Sequence, residues 1–215
     1  MSIEINLVGK TAAVSGAGRG LGRAIAVTLA KAGANVWIGS RKEEQSKETV
    51  KIIQDMGFKA GYSVVDVAKF DDMQRFLDDA EKFGNGKLDI MVNNAGVIST
   101  DSFLDTTAEE FKRLIDINVA GVSNALQAAL KKMIPNKSGK IVVIPSIAGE
   151  KGMAMLSHYA ATKAAAINLT QSAALIAAPY HINVNQVAPG IIRTNMWEEI
   201  LDGLTPEGAD RNANF

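Results

Sequence analysis

Residues 11–22 carry the sequence TAAVSGAGRGLG, in which a short apolar run leads directly into four glycines. Residues 11–14 are typical of a buried strand, and the amphipathic pattern over residues 21–32 predicts a helix immediately after the glycines. Glycines at such a junction permit a tight turn and let backbone N–H groups approach a pyrophosphate at the helix N-terminus. The order strand, glycine loop, helix therefore predicts a site for the phosphates of a nucleotide.

The same alternation of apolar and amphipathic runs continues along the chain. Further strands are predicted at residues 35–38, 62–65, 88–92, 140–144 and 182–187, and helices at residues 43–56, 71–83, within 107–134 and at 155–178. Strands that are apolar on both faces indicate a parallel sheet with helices on both faces. With right-handed crossovers, the fold class is α/β, a Rossmann-type doubly wound parallel sheet in the order 3-2-1-4-5-6. Residues 1–215 contain no repeat or linker and are expected to form a single dinucleotide-binding and catalytic domain.

The composition argues against several classes of site and partner. Lys plus Arg number 23 and Asp plus Glu number 23, so a net charge of zero gives no reason to expect nucleic acid or a membrane as partner. The absence of cysteine excludes disulfides and thiolate chemistry, and two histidines argue against a histidine-rich site, so no metal is expected. No apolar run has the length of a membrane span or a signal peptide, and we expect a cytoplasmic protein.

The end of the second strand is expected to meet the ribose of an adenosine, and Ser40-Arg41 stands there instead of an acid. An acid would repel a 2′-phosphate, whereas Arg41, together with Arg19 from the glycine loop, suits a phosphorylated ribose. The cofactor is therefore expected to be NADP, with NAD possible if both arginines are solvated surface residues. Asp66, just after the third strand, is placed to accept from an adenine amino group or to cap its own loop.

Tyr159 and Lys163 stand four residues apart in a predicted helix, so their side chains share one face. A lysine beside a phenol favours the phenolate, which lets a tyrosine act as acid or base near neutral pH. Ser146 follows the fifth strand at its carboxyl end, where open α/β sheets place their sites. Its hydroxyl is a candidate for holding a substrate carbonyl oxygen, or else a turn or cap residue.

Six sequence motifs follow one another in a fixed order along nearly the whole chain. They are Gly16, Gly20 and Gly22 with Ser15 before them, Asn93-Asn94-Ala95-Gly96, Asn118, Ser146, the Tyr159 and Lys163 pair, and Pro189-Gly190 with Thr194. Ser146 precedes Tyr159 by 13 residues. In these motifs the chain resembles the classical short-chain dehydrogenase/reductase family. It departs from the family's pattern at Ser15, where the family usually has threonine.

The resemblance implies roles for the matched positions. Tyr159 would exchange a proton with the substrate oxygen, Lys163 would lower the pKa of Tyr159 and bind the nicotinamide ribose, and Ser146 would polarise the carbonyl. Asn118 would hold a water that links Lys163 to solvent, and Thr194 would bond the nicotinamide carboxamide. Both lines of argument together predict this cofactor-binding set: Gly16, Arg19, Gly20, Leu21, Gly22, Ser40, Arg41, Asp66, Val67, Asn93, Ala95, Gly96, Tyr159, Lys163, Pro189, Gly190, Ile192 and Thr194.

The segment after Pro189-Gly190 departs from the pattern of the rest. Residues 191–215 are predicted to be irregular, and residues 190–215 to form a flap over the carboxyl ends of the strands or a frayed terminus. The family continues into a further helix and a last strand, whereas this chain ends at Phe215 with no such strand. The chain is therefore expected to be either truncated or a naturally short form. The shape of the substrate pocket and the oligomeric assembly depend on which of these two holds.

The resemblance implies an oxidoreductase that transfers a hydride between NADP(H) and a small ketone or secondary alcohol of diol, polyol or hydroxyketone type. A homo-oligomer, dimer or tetramer, is expected. The alternative is a 3-oxoacyl-(acyl-carrier-protein) reductase, which a basic patch at the pocket mouth would favour. A remote alternative is a non-catalytic nucleotide-binding regulator, whose signature would be the loss of Tyr159 or Lys163. His158 receives no role, because one helical step turns it away from Tyr159.

Overall fold

The computed structural model describes residues 5–84 and 86–205. They contain a six-stranded parallel sheet in the order 3-2-1-4-5-6, which confirms the predicted fold class. The strands are β1 (Thr11–Ser15), β2 (Asn35–Ser40), β3 (Ala60–Val64), β4 (Ile90–Asn93), β5 (Gly139–Val143) and β6 (Ile182–Gln186). The helices are α1 (Gly20–Lys31), α2 (Glu43–Asp55), α3 (Phe70–Phe83), α4 (Ala108–Ile115), α5 (Gly121–Met133), α6 (Ser157–Ala177) and α7 (Asn195–Leu204).

Strand β1 lies in the middle of the sheet and is buried along its whole length. It pairs with β2 on one side and β4 on the other, so its last residue, Ser15, lies level with Gly39 and Asn93. The loops after these three strands therefore leave the sheet at the same edge. Because the strand order reverses beside β1, this carboxyl edge is where an open α/β sheet forms its ligand crevice.

Two apolar layers cover the two faces of the sheet. Successive side chains of β1 face opposite layers, Ala12 and Val14 one of them and Ala13 the other. The first layer contains Ala26, Ala30, Val36, Ile38 and Ile53, and the second contains Phe76, Leu77, Met91, Leu126, Met133 and Ile141. A strand that is buried on both faces is expected to be apolar on both, as residues 12–14 of β1 are. The buried hydroxyls at its two ends, Thr11 and Ser15, each have a hydrogen-bond partner.

The helix predicted within residues 107–134 is continuous but not uniform. It begins at Thr107, whose hydroxyl accepts from the N–H of Glu110 at 3.1 Å and so caps α4. Between α4 and α5 runs a π-helical segment, Asp116–Ala120, which contains Asn118. Such segments inside α-helices are frequent at functional sites.

The prediction of an irregular segment after residue 190 was wrong for residues 195–204, which form α7. Its apolar residues Met196, Trp197, Ile200 and Leu201 share one helix face, and Ile200 and Leu201 are buried. The helix is stable only when this apolar face packs against other residues, and those residues lie far away in sequence. Residues 206–215, the end of the predicted flap, lie outside the described residues.

Candidate active site

One cleft with a volume of about 980 Å³ runs along the carboxyl edge of the sheet. This volume lies at the upper end of the range of about 300–1,000 Å³ that is usual for small-molecule and cofactor sites. The cleft is lined by most of the residues that the sequence predicted for binding or catalysis: Gly16, Arg19, Gly20, Leu21, Gly22, Ser40, Arg41, Asp66, Val67, Ala95, Gly96, Ser146, Tyr159, Lys163, Pro189, Gly190, Ile192 and Thr194. The other two predicted residues, Asn93 and Asn118, lie buried behind this lining.

Helix α1 points its N-terminus into one end of the cleft. Arg19 is the residue before it, no side chain caps it by a hydrogen bond, and its first turn has no acidic residue. Gly16 has φ +66°, and a Cβ there would lie 2.7 Å from the Cα of Ala95. The loop therefore needs glycine to pack against the end of β4, and it leaves helix N–H groups for an anion.

Asn94 holds the glycine loop in place, a role that the sequence alone did not reveal. Its Nδ2 donates to the carbonyl oxygens of Ser15 at 3.1 Å and Gly16 at 3.2 Å. The Ser15 hydroxyl accepts from the N–H groups of Asn94 and Ala95 and donates to Asn93 Oδ1 at 3.3 Å. The doubled asparagine was the available signal, but its partners stand 78 and 79 residues earlier in the chain.

The adenosine end of the cleft contains the predicted polar residues. Arg19 and Arg41 are both exposed there and line the same cavity. The Ser40 hydroxyl lies 2.8 Å from the Ser46 hydroxyl and donates to the carbonyl of Lys42 at 2.9 Å, so it also closes the turn before α2. This end of the cleft therefore offers two guanidinium groups and no carboxylate at the end of β2.

Asp66 combines the two interpretations that its sequence position allowed. Its Oδ1 accepts from the N–H of Ala68 at 3.2 Å, so it caps its own loop. The same residue lines the cleft beside Val67. An aspartate that caps a loop with one oxygen still presents the other as an acceptor.

Helix α6 brings Tyr159 and Lys163 to the middle of the cleft. The two residues are 8 % and 5 % exposed, and Lys163 Nζ lies 5.5 Å from the centroid of the Tyr159 ring. The Lys163 ammonium also lies 3.5 Å from the carbonyl oxygen of Ile144. The spacing of four residues thus places both side chains on the same buried face, as the sequence predicts.

Ser146 stands just after β5 and faces Tyr159. Its hydroxyl oxygen accepts from the N–H of Ala148 at 3.1 Å and so caps the short 3₁₀ helix Ile147–Gly149. The same hydroxyl is hydrogen-bonded to the Tyr159 phenol. Ser146 is therefore both a cap residue and a polar group of the cleft.

Burial sets the protonation of the central pair. It raises the pKa of the Tyr159 phenol above its ordinary value, and the hydrogen bond with Ser146 opposes that shift. It also lowers the pKa of Lys163 to about 8. The pKa of Tyr159 is therefore raised, not lowered as expected, because the effect of burial is larger than that of the hydrogen bond with Ser146.

Asn118 joins the loop after β4 to α6 and is completely buried. Its Oδ1 accepts from the N–H of Val97 at 2.9 Å, and its Nδ2 donates to the Val97 carbonyl at 2.8 Å and to Thr162 Oγ1 at 3.0 Å. Both amide hydrogens are thereby used, and Oδ1 keeps one further acceptor position. A Cβ on Gly96 would lie 3.3 Å from Asn118 Oδ1 and 3.1 Å from Lys163 Nζ, so these polar atoms face the same point.

Helix α7 forms the outer wall of the cleft. At one end, a Cβ on Gly20 would lie 3.6 Å from the Cβ of Thr194, just before the helix. At the other end, Gly203 packs so closely on Thr100 that a Cβ there would overlap its side chain. The helix thus crosses the cleft from the glycine loop to the loop after β4.

A family model described as short chain dehydrogenase matches residues 10–204. The chain belongs to the short-chain dehydrogenase family. It is 40% identical over 198 residues to L-2,3-butanediol dehydrogenase of Corynebacterium glutamicum, covering 89% of this chain and 75% of that protein. It is 36% identical over 206 residues to the 3-oxoacyl-(acyl-carrier-protein) reductase of Chlamydia muridarum, covering 94% and 81%. The crystal structure of levodione reductase matches with a TM-score of 0.90 at 30% identity, covering 94% of this chain and 79% of that one.

As a short-chain dehydrogenase, the protein is an NAD(P)-dependent oxidoreductase that acts on CH–OH groups. His158 lies outside the cleft lining of this enzyme, with its ring 5.1 Å from the Phe103 ring and 4.8 Å from the Phe111 ring. Among the residues described, no helix is both long enough and apolar enough to span a membrane.

Proposed function

We propose that this short-chain dehydrogenase interconverts a small ketone and its secondary alcohol, of diol, polyol or hydroxyketone type, with NADP(H). The observation that carries the proposal is the meeting of Ser146, Tyr159 and Lys163 in the same cleft as an uncapped helix N-terminus. The butanediol dehydrogenase to which the chain is similar supports a small alcohol as substrate. In the direction of reduction, a ketone, NADPH and one proton give a secondary alcohol and NADP⁺.

The residues of the cleft fit a dinucleotide. The N–H groups at the start of α1 would hold the pyrophosphate, and Arg19 and Arg41 would face the adenosine ribose. Lys163 would bind the hydroxyls of the other ribose, and Thr194 the carboxamide. The nicotinamide held by these residues would supply the hydride chemistry, for which the protein itself has no group.

Tyr159 is the proposed proton donor in the direction of reduction. Because burial raises its pKa, the phenol is protonated at neutral pH and has a proton to give to the carbonyl oxygen. The Ser146 hydroxyl, hydrogen-bonded to the same phenol, is placed to donate to that oxygen as negative charge develops on it. Substrate oxygen, serine and tyrosine would then form one hydrogen-bonded group.

The proton that Tyr159 gives up must be replaced from solvent. Asn118 Oδ1 and Lys163 Nζ face the same point beside Gly96, and Oδ1 keeps one acceptor position. This arrangement supports the role expected for Asn118, which is to anchor a water between Lys163 and solvent. Asn118 would act through this water as a positioning residue, since its side chain lies behind the cleft lining.

NADP preference is tested by kcat/KM for NADPH and NADH with the wild type and with Arg41→Ala. A retained guanidinium–phosphate hydrogen bond would favour NADPH by about tenfold or more. Arg41→Ala should lose that preference and keep its activity with NADH. Lys31→Ala, which removes an exposed cation in the last turn of α1, is the matched control and should keep it. A wild-type preference for NADH would refute the proposal.

The charges around the outer wall bear on the carrier-protein alternative. The charged residues with described side chains that adjoin lining residues of this wall in sequence are Arg193, Glu198 and Asp202, one cation and two anions. Arg193 Nε lies 3.5 Å from Glu198 Oε1, which offsets this cation. An acidic carrier protein needs a basic surface, and this balance of charges supports a small free substrate instead.

Both Tyr159 and Lys163 are present, which argues against a non-catalytic regulator.

The proposed reaction is tested by following NADPH oxidation with a panel of small ketones and hydroxyketones. The wild type should turn over at least one of them, and Tyr159→Phe should lose turnover while keeping its affinity for NADPH, because the ring stays and the proton is gone. Turnover of Tyr159→Phe near the wild-type rate would refute the assignment. A cytoplasmic location and a homo-oligomeric state, dimer or tetramer, stay predictions.

A further inference from the structure

The half of the cleft beyond Tyr159 is walled by apolar side chains. They come from three separate parts of the chain, the loop after β4, the segment before α6 and helix α7: Ile98, Met153, Leu156, Met196, Trp197 and Ile200. We call this half the acceptor chamber. Ile98, Met153 and Leu156 pack directly against the buried cluster that contains Tyr159, so the chamber begins beside the proposed proton donor.

Polar side-chain groups in the described lining of this half of the cleft are few. They are the hydroxyls of Ser146, Tyr159, Thr194 and Thr205, the ammonium of Lys163 and the indole N–H of Trp197. Lys163 lies deep, 5 % exposed, beside the Ile144 carbonyl, and Thr194 lies next to the glycine loop. Ser146 and Tyr159 are both occupied by one carbonyl oxygen in the proposed reaction. Further substrate hydroxyls would therefore meet few free side-chain partners here.

The chamber nevertheless has apolar surface to cover. Met155 and Ile147 line the cleft and are 58 % and 49 % exposed. Apolar surface exposed inside a concave site indicates a ligand that covers it with carbon atoms. Three methionines in the lining, Met153, Met155 and Met196, can adjust their side chains to ligands of somewhat different shape.

We propose that the acceptor chamber selects compact ketones that carry few polar groups besides the carbonyl, and discriminates against polyhydroxylated ones. This inference rests on the proposed function and narrows it, since it favours the least hydroxylated members of that substrate class. Burying a hydroxyl without a partner weakens binding, and an apolar pocket rejects an added hydroxyl by about ten- to a hundredfold. A substrate with several hydroxyls is then disfavoured at each of them.

The test compares two ketones of the same shape, erythrulose and 4-methyl-3-hexanone, in which a methyl group replaces each hydroxyl of erythrulose. The wild type with NADPH should show a kcat/KM for the apolar ketone that is higher by about a hundredfold or more. Equal values, or a higher value for erythrulose, would overturn the inference and leave the proposed function standing. Absence of NADPH and NADH oxidation with every carbonyl compound tried would instead overturn the proposed function, and the inference with it.

A polar replacement in the wall adds an independent readout. Met153→Gln keeps the length of the side chain and adds an amide, so it should lower kcat/KM for the apolar ketone about tenfold and narrow the ratio between the two ketones. Met56→Gln, at an exposed methionine just after α2, is the matched control and should leave both values unchanged. An unchanged ratio in a folded Met153→Gln variant would show that this wall does not set the preference.

Discussion

Asn118→Ala gives the sharpest test of how this site is held together. The substitution removes three hydrogen bonds from a completely buried side chain, two to the backbone of Val97 and one to Thr162. A typical intramolecular hydrogen bond contributes about 1 kcal/mol net, and buried partners left unsatisfied cost more. The free energy of unfolding should therefore fall by about 3 kcal/mol. Urea denaturation followed by circular dichroism measures the loss, with the m-value as a check on two-state behaviour.

Asn124→Ala is the matched control, since it lies in the same continuous helix and its side chain donates one hydrogen bond, to the Val67 carbonyl at 2.9 Å. Its loss should be about 1 kcal/mol. If Asn118→Ala cost no more than Asn124→Ala, the clamp between the loop after β4 and α6 would contribute nothing, and the reasoning would be refuted. The larger loss should come with lower activity, because Val97 lies in the cleft wall and Thr162 precedes Lys163.

Three further predictions concern the same cleft. The difference in unfolding free energy between Lys163→Met and the wild type should change with pH. The pKa of Lys163 is about 8 in the folded protein and 10.5 ordinarily, so between these pH values the unfolded wild-type chain binds more protons than the folded one. The wild type should therefore gain stability relative to the variant as pH rises, by at most about 3 kcal/mol. A pH-independent difference would contradict it. Ser146→Ala removes the hydrogen bond that lowers the pKa of Tyr159, so the pH at which alcohol oxidation reaches half its maximum should move upward, and Ser146→Thr should restore it. Gly203→Ala should push α7 off the loop after β4 and raise KM for the carbonyl substrate severalfold. Gly152→Ala is the control and should leave KM unchanged, because a Cβ at Gly152 has open space. Equal effects of the two substitutions on KM would show that the contact between Gly203 and Thr100 does not close the cleft.

Local patterns in the sequence were sufficient for most of the fold. The alternation of buried strands with amphipathic helices depends on which residues are apolar at each step, and the structure has each predicted strand within about two residues of its expected bounds. Helix α7 was missed because its apolar residues, such as Met196 and Ile200, have no partner that a local pattern could reveal. Their partner surface is the cleft itself, formed by segments about a hundred residues earlier or more, such as the loop that contains Ile98.

The sequence by itself determined many of the residues that meet in the cleft, because strand ends, a glycine loop and a four-residue helical spacing are local features with one geometric consequence. Only the tertiary structure decided how those residues are held and charged. Asn94 and Asn118 became clamps because their partners arrive from distant parts of the chain. The pKa of Tyr159 rises because burial removes water from the phenol, and the extent of burial depends on every segment packed around it. The apolar character of the acceptor chamber likewise belongs to no single segment, since it arises where three of them converge.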